Sequence, residues 1–150
     1  MIELLRTSSS NPDFNSLIKE LDKGLKDNYG SLQTEYDKYN KIESLNTVVV
    51  AYENKEAVGC GCFKQYNSDS VEIKRMFVKP EHRGKGISKK ILTELEKWAF
   101  ETGYSSAVLE TGTKQIEAIG LYSKSGYQRI ENYGQYQNMS ASICFKKDLL

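Results

Sequence analysis

The sequence predicts an α/β fold of about seven strands flanked by about four helices, and three observations predict it. Residues 47–78 read as a three-strand meander, apolar and β-branched runs joined by short polar turns. Residues 71–95 read as a strand, a loop holding two glycines, and an amphipathic helix. Beyond that helix, strand-like and helix-like runs alternate, and glycines (Gly103, Gly126) stop the helices. With 150 residues the chain suits one domain, 1–150, large enough to bury a core.

Taken in order, Ile2 to Arg6 is a short apolar stretch suited to an edge strand. Asn11-Pro12-Asp13 opens a helix, Asn11 as cap and Pro12 at the first helical position, and Phe14, Leu17, Ile18, Leu21 and Leu25 give it one apolar face. Asn28 to Gly30 ends it. Residues 31–42 form a weaker helical pattern with Leu32, Tyr36 and Tyr39 on one side. Thr47–Tyr52 and Ala57–Tyr66 pair as a hairpin, and Val71–Val78 completes the meander. Ile87, Ile91, Leu95, Trp98 and Ala99 mark one face of the next helix, which packs on the sheet. Ala107–Thr111 is a strand, Gln115–Ser125 a helix, and Tyr127–Ile130 and Ser142–Phe145 are two closing strands around the aromatic loop 132–136.

Composition narrows the function classes. A formal net charge of +1 offers no field for nucleic acid or a membrane surface, and no apolar run reaches the length of a membrane span. The N-terminus lacks a signal-peptide pattern and the three cysteines are an odd number, so a cytoplasmic chain with reduced thiols is expected. Cys60 and Cys62 lie two apart on one strand and share a face. A metal site needs more ligands than they and the lone His82 supply, so small core residues are the expectation.

The chemistry-bearing stretch is the loop before the third helix. Arg83-Gly84-Lys85-Gly86-Ile87-Ser88-Lys89 leads into a helix N-terminus, where backbone N–H groups lack partners and the dipole is positive. Such a place holds a pyrophosphate largely by main chain, and Gly84 and Gly86 let the ligand come close. A tight strand-to-helix turn on a solvated surface is the plainer reading of the same residues. Neither a Walker loop nor a dinucleotide fingerprint fits the spacing.

Val78-x-Pro80-x-x-Arg83-Gly84-Lys85-Gly86-Ile87-Ser88 resembles motif A of the GCN5-related N-acetyltransferases (GNATs), Gln/Arg-x-x-Gly-x-Gly/Ala, with Ser88 in place of the last small residue. The element order resembles that family over nearly the whole chain. The resemblance implies a central, mixed, mostly antiparallel sheet and acetyl-CoA as cofactor, its pyrophosphate on the amides from Arg83 to Lys89. It also implies that backbone groups of Phe77 and Val78, exposed by a bulge, hold the pantetheine arm and polarise the acetyl carbonyl. Ile119-Gly120-Leu121-Tyr122-Ser123-Lys124-Ser125-Gly126 resembles motif B, in which the tyrosine gives a proton to the CoA sulfur. Gln115 stands where that motif often begins with Asn.

Acetyl transfer to an amine needs an unprotonated amine, a polarised carbonyl and a proton for the leaving thiolate. An alkylammonium has a pKa of about 10, so some group must take its proton. Glu72 is the first candidate, because strict alternation puts Glu72, Lys74 and Met76 on one face upstream of the thioester. It reads equally as a polar residue on a half-exposed strand. Tyr122 suits the acid role, since a phenol donates to a thiolate while staying protonated at rest, and it also fits the helix's apolar stripe.

Tyr29, Tyr36 or Tyr39 either packs or lines an acceptor pocket. Glu110 and Thr111 end the neighbouring strand, where Glu110 orients the acceptor amine or is a surface carboxylate. Tyr133 and Tyr136 return towards the acceptor side. The strings 110–119 and 132–136 resemble a bacterial subgroup of small-molecule acetyltransferases, which implies a small-molecule amine as acceptor and direct attack in a ternary complex. A peptide or protein N-acetyltransferase, and a non-catalytic acetyl-CoA-binding module, are the competing readings. The family resemblance also allows a homodimer.

Overall fold

The computed structural model describes residues 1–29 and 44–149, with only the backbone of 27–29; the helix expected over 31–42 lies outside the described residues. The elements are β1 (Ile2–Thr7), α1 (Pro12–Tyr29), β2 (Val48–Glu53), β3 (Glu56–Gln65), β4 (Ser70–Val78), α2 (Ile87–Glu101), β5 (Ser106–Gly112), α3 (Ile116–Lys124), β6 (Gln128–Ile130) and β7 (Ser142–Asp148). Short 3₁₀ turns occupy Pro80–His82 and Gly134–Tyr136. The N-terminal cap of α1 forms as the sequence implies: the Phe14 N–H donates to Asn11 Oδ1 at 3.0 Å.

The seven strands form one mixed sheet in the order β1-β2-β3-β4-β5-β7-β6. Every pair is antiparallel except β4 with β5. One face carries α2 and α3, whose Ile91, Leu95 and Tyr122 pack on Val49, Ile73 and Leu109. The other face carries α1, with Phe14, Leu17 and Ile18 on Val48, Val50 and the two thiols Cys60 and Cys62. Beyond α1, that second face is covered by the loop 131–141, whose Tyr136 packs on Cys144. Gly61 has no room for a side chain: a Cβ there would meet Met76 Sδ at 2.5 Å and Leu95 Cδ1 at 3.0 Å, so α2 sits against bare β3 backbone.

Two irregularities in the sheet prepare the site. The β4–β5 pairing runs only from Ser70–Ser106 to Ile73–Leu109. From there β4 continues with β3 to Val78 while β5 continues with β7 to Gly112, so the central strands part. The second irregularity is a bulge. Cys62 pairs with Lys74 but Cys60 pairs with Phe77, which leaves one extra residue on β4, and Arg75 there has φ +60°. The thiols of Cys60 and Cys62 reach the carbonyls of Arg75 and Lys74 at 3.5 and 3.4 Å.

The bulge corrects one expectation. Strict alternation places Met76 with Glu72 and Lys74, whereas Met76 packs with the α2 cluster and Phe77 takes its place on the α1 face. The extra residue at 75 reverses the alternation for the rest of the strand.

Candidate active site

The parted strands, the loop after β4 and the N-terminal ends of α2 and α3 enclose a cleft of about 350 Å³. Its phosphate-sized end is the loop into α2. Gly84 and Gly86 both lie at positive φ, +81° and +79°, and Gly86 is the N-terminal cap of α2 with no side chain capping the helix. The helix's first N–H groups therefore face the cleft without a side-chain partner. A Cβ built on either glycine would meet nothing within 4 Å, so the space a side chain would fill is open beside those amides.

Neighbouring side chains hold this loop from outside. Arg83 Nε donates to the Val78 carbonyl at 2.8 Å and its guanidinium lies over the Phe77 ring, so the side chain clamps the loop onto the end of β4. Glu53 accepts from Lys85 Nζ at 3.2 Å and pairs with His82 Nδ1 at 3.0 Å. Its carboxyl is held below the usual range, first by the Lys85 hydrogen bond and then by His82. Lys85 thus points away; Arg83, Gly84, Gly86, Ile87, Ser88 and Lys89 line the cleft and Lys85 does not.

Deeper in, the cleft is bounded by Phe77 and Val78 on one wall and by Glu110, Thr111, Gln115 and Tyr122 on the other. Burial pushes the Glu110 carboxyl up to about 7, against a hydrogen bond donated by Ser142 Oγ at 2.7 Å; Glu72 adds to the rise and Lys74 opposes it. Burial, and after it the charge of Glu110, raises the Tyr122 phenol well above its ordinary value, so its hydroxyl keeps its proton at neutral pH. A carboxyl that titrates near neutrality and a phenol that stays protonated there therefore share one wall.

Three expected residues stand elsewhere. Glu72 is buried but not part of the cleft wall; its carboxylate accepts from Tyr133 Oη at 2.7 Å. Tyr133, pushed up by burial and by that carboxylate, stacks edge-on with Tyr66 and with Tyr136. Tyr136 is core rather than pocket lining, 1% exposed. The Tyr29 side chain lies outside the described residues. Sequence reasoning missed Leu21, Leu25, Lys74 and Arg75, which also line the cleft. The helical spacing of Leu21 and Leu25 marked a buried face, but not that its end overhangs the parted strands.

Comparison with known proteins closes the identification. Residues 14–127 match the profile of the acetyltransferase (GNAT) family. The chain belongs to the GNAT family. It is an acetyl-CoA-dependent N-acetyltransferase, an acyltransferase. An IAA acetyltransferase from Azospirillum brasilense is 33% identical over 141 residues, 89% of this chain and 88% of that one. A Klebsiella pneumoniae crystal structure described as an acyl-CoA N-acyltransferase is 27% identical, with a TM-score of 0.84 over 100% of this chain and 99% of that one. A GNAT acetyltransferase from Elizabethkingia anophelis, solved with acetyl-CoA bound, shares the fold at 19% identity and TM-score 0.70, covering 99% and 98% of the two chains. The uncapped helix end and the two open glycines of this GNAT chain fit such a cofactor, since they offer amides and space where an anion needs both. Among the described residues no helix is long and apolar enough to cross a membrane, and no three metal-ligating side chains cluster.

Proposed function

We propose that this GNAT enzyme moves the acetyl group of acetyl-CoA to the primary amine of a small molecule, by direct attack while both are bound, with Glu110 as base and Tyr122 as acid. The observation that carries the reading is the shared wall: Glu110, poised at about 7, and Tyr122, held protonated, line one cleft with the α2 amides. Acetyl-CoA supplies the activated acyl group as a thioester. The amides from Arg83 to Lys89 hold its pyrophosphate, and the backbone at Phe77 and Val78, freed where β4 leaves β5, holds the pantetheine arm and donates to the carbonyl oxygen.

Glu110, about half ionised at neutral pH, accepts the proton of the incoming ammonium in its deprotonated form, directly or through one water. Tyr122 donates to sulfur from a site where its own ionisation is suppressed. Glu110 replaces Glu72 in the base role because Glu72 is engaged with Tyr133 and stands outside the cleft. Glu72, Tyr133 and Tyr136 instead shape the acceptor side from behind, and Thr111 and Gln115 flank the two reacting groups. A small acceptor is favoured by the cleft's modest volume and by the Azospirillum relative, whose name gives IAA as what it acetylates.

The test is CoA release from acetyl-CoA against amino acids, polyamines, aminoglycosides and lysine peptides. The expected result is turnover with a small amine. Glu110→Gln then lowers kcat/KM by roughly 10²- to 10⁴-fold and removes the pH dependence near 7, and Tyr122→Phe lowers kcat by roughly 10²-fold. Unchanged rates in both variants would reject the assignment, and turnover confined to the lysine peptides would reject the small acceptor.

A further inference from the structure

Lys74 is a primary amine inside the cleft of an enzyme that acetylates amines. It is the first residue of β4 beyond the last parallel pair, Ile73 with Leu109, just as Glu110 is the first on β5. The lysine and the proposed base therefore stand on either side of the point where the strands part. Cys62, its partner on β3, belongs to the α1 face, so Lys74 lies with Glu72 on that side of the sheet, the acceptor side in the proposed function. Burial lowers its pKa, followed in effect by Glu72, which raises it, and by Lys64, Cys62 and Arg75. More of it is neutral than of an exposed lysine.

We propose that Lys74 is a self-acetylation site, taking the acetyl group from the enzyme's own bound acetyl-CoA when no acceptor is present. This rests on the reading of the cleft given above. In the step, Nζ of neutral Lys74 forms a bond to the acetyl carbonyl carbon while the C–S bond breaks, its electron pair going to sulfur. The nitrogen passes one proton to Glu110 and the sulfur receives one from Tyr122, leaving an N-acetyl-lysine and CoA; Glu110 then gives its proton to solvent and the Tyr122 phenolate takes one back, so the enzyme's groups return to their starting state. The product is uncharged and longer, and it occupies the acceptor end of the cleft, so self-acetylation slows transfer to added amines.

The experiment incubates the full chain with acetyl-CoA alone and follows intact mass, peptide mapping and residual transfer, with calorimetry for acetyl-CoA binding on the same sample. The expected result is one acetyl group on Lys74, added at a rate independent of protein concentration and faster than on exposed Lys97. Tyr122→Phe slows the labelling, and Lys74→Arg takes no label and keeps its initial transfer rate through the incubation. Bound acetyl-CoA with Lys74 unmodified, or labelled no faster than Lys97, overturns the proposal and leaves the reading of the cleft standing. Absence of binding overturns both.

Discussion

The Ser142 hydroxyl donates to Glu110 at 2.7 Å, and with Lys74 it favours the charged carboxylate against burial and against Glu72. A base works in its deprotonated form, so whatever raises its pKa moves the acidic limb of the rate profile upward. Ser142→Ala removes a hydrogen bond to the charged form. The kcat/KM profile of that variant is expected to shift to higher pH, by on the order of one unit, with the plateau above it retained; an unmoved limb would show that Ser142 does not govern Glu110. At this scale the sequence was half legible. Glu110 and Thr111 could be placed at a strand end, and Tyr122 in a motif, from the order of residues alone. That burial lifts the Glu110 carboxyl to about 7, against a hydrogen bond from a serine 32 positions away, is something no local pattern carries.

Helix α2 owes its proposed anion site to three local features: a glycine cap at φ +79°, no side chain competing for its first amides, and open space above them. Gly86→Asp puts a carboxylate at the proposed pyrophosphate site. A left-handed non-glycine residue costs roughly 1–2 kcal/mol, partly offset by a negative charge at a helix N-terminus, so the fold survives. The KM for acetyl-CoA is expected to rise about tenfold or more while the thermal midpoint moves little; an unchanged KM would remove the anion site from this helix end. Elements like this one were legible because capping and stopping signals are local. The cap at Asn11–Pro12 and the stops at Gly103 and Gly126 came through as read, with positive φ at both glycines. The bulge at Arg75 did not, since an extra residue on one strand is defined only against its partner. Arg75 itself is nearly buried and reaches Asp22 on α1 at 2.7 Å, a contact across 53 residues.

Across the whole molecule the work divides along the sheet. In the proposed function the β4 end, its loop and α2 take the cofactor, and the acceptor side of the cleft rests on the loop 131–141, tied to the sheet by Tyr133 and Glu72 across 61 residues. Tyr133→Phe releases that tie and leaves a buried carboxylate short of a donor, a loss of about 1–3 kcal/mol in stability. The KM for the acceptor is expected to rise while that for acetyl-CoA stays the same; equal changes in both would mean that the tie supports the whole cleft. The bulge also sets which changes of length the centre of the sheet can absorb. Deleting Arg75 would remove the bulge and leave Met76 towards α2 and Phe77 towards α1, whereas the same residues in a strand without the bulge would turn Met76 towards α1 and Phe77 towards α2, each into a space shaped for the other. Loss of one residue between Lys74 and Phe77 would therefore straighten the strand with both faces kept, whereas gain of one would exchange them. At this point of the chain, descent is constrained by parity as much as by residue identity.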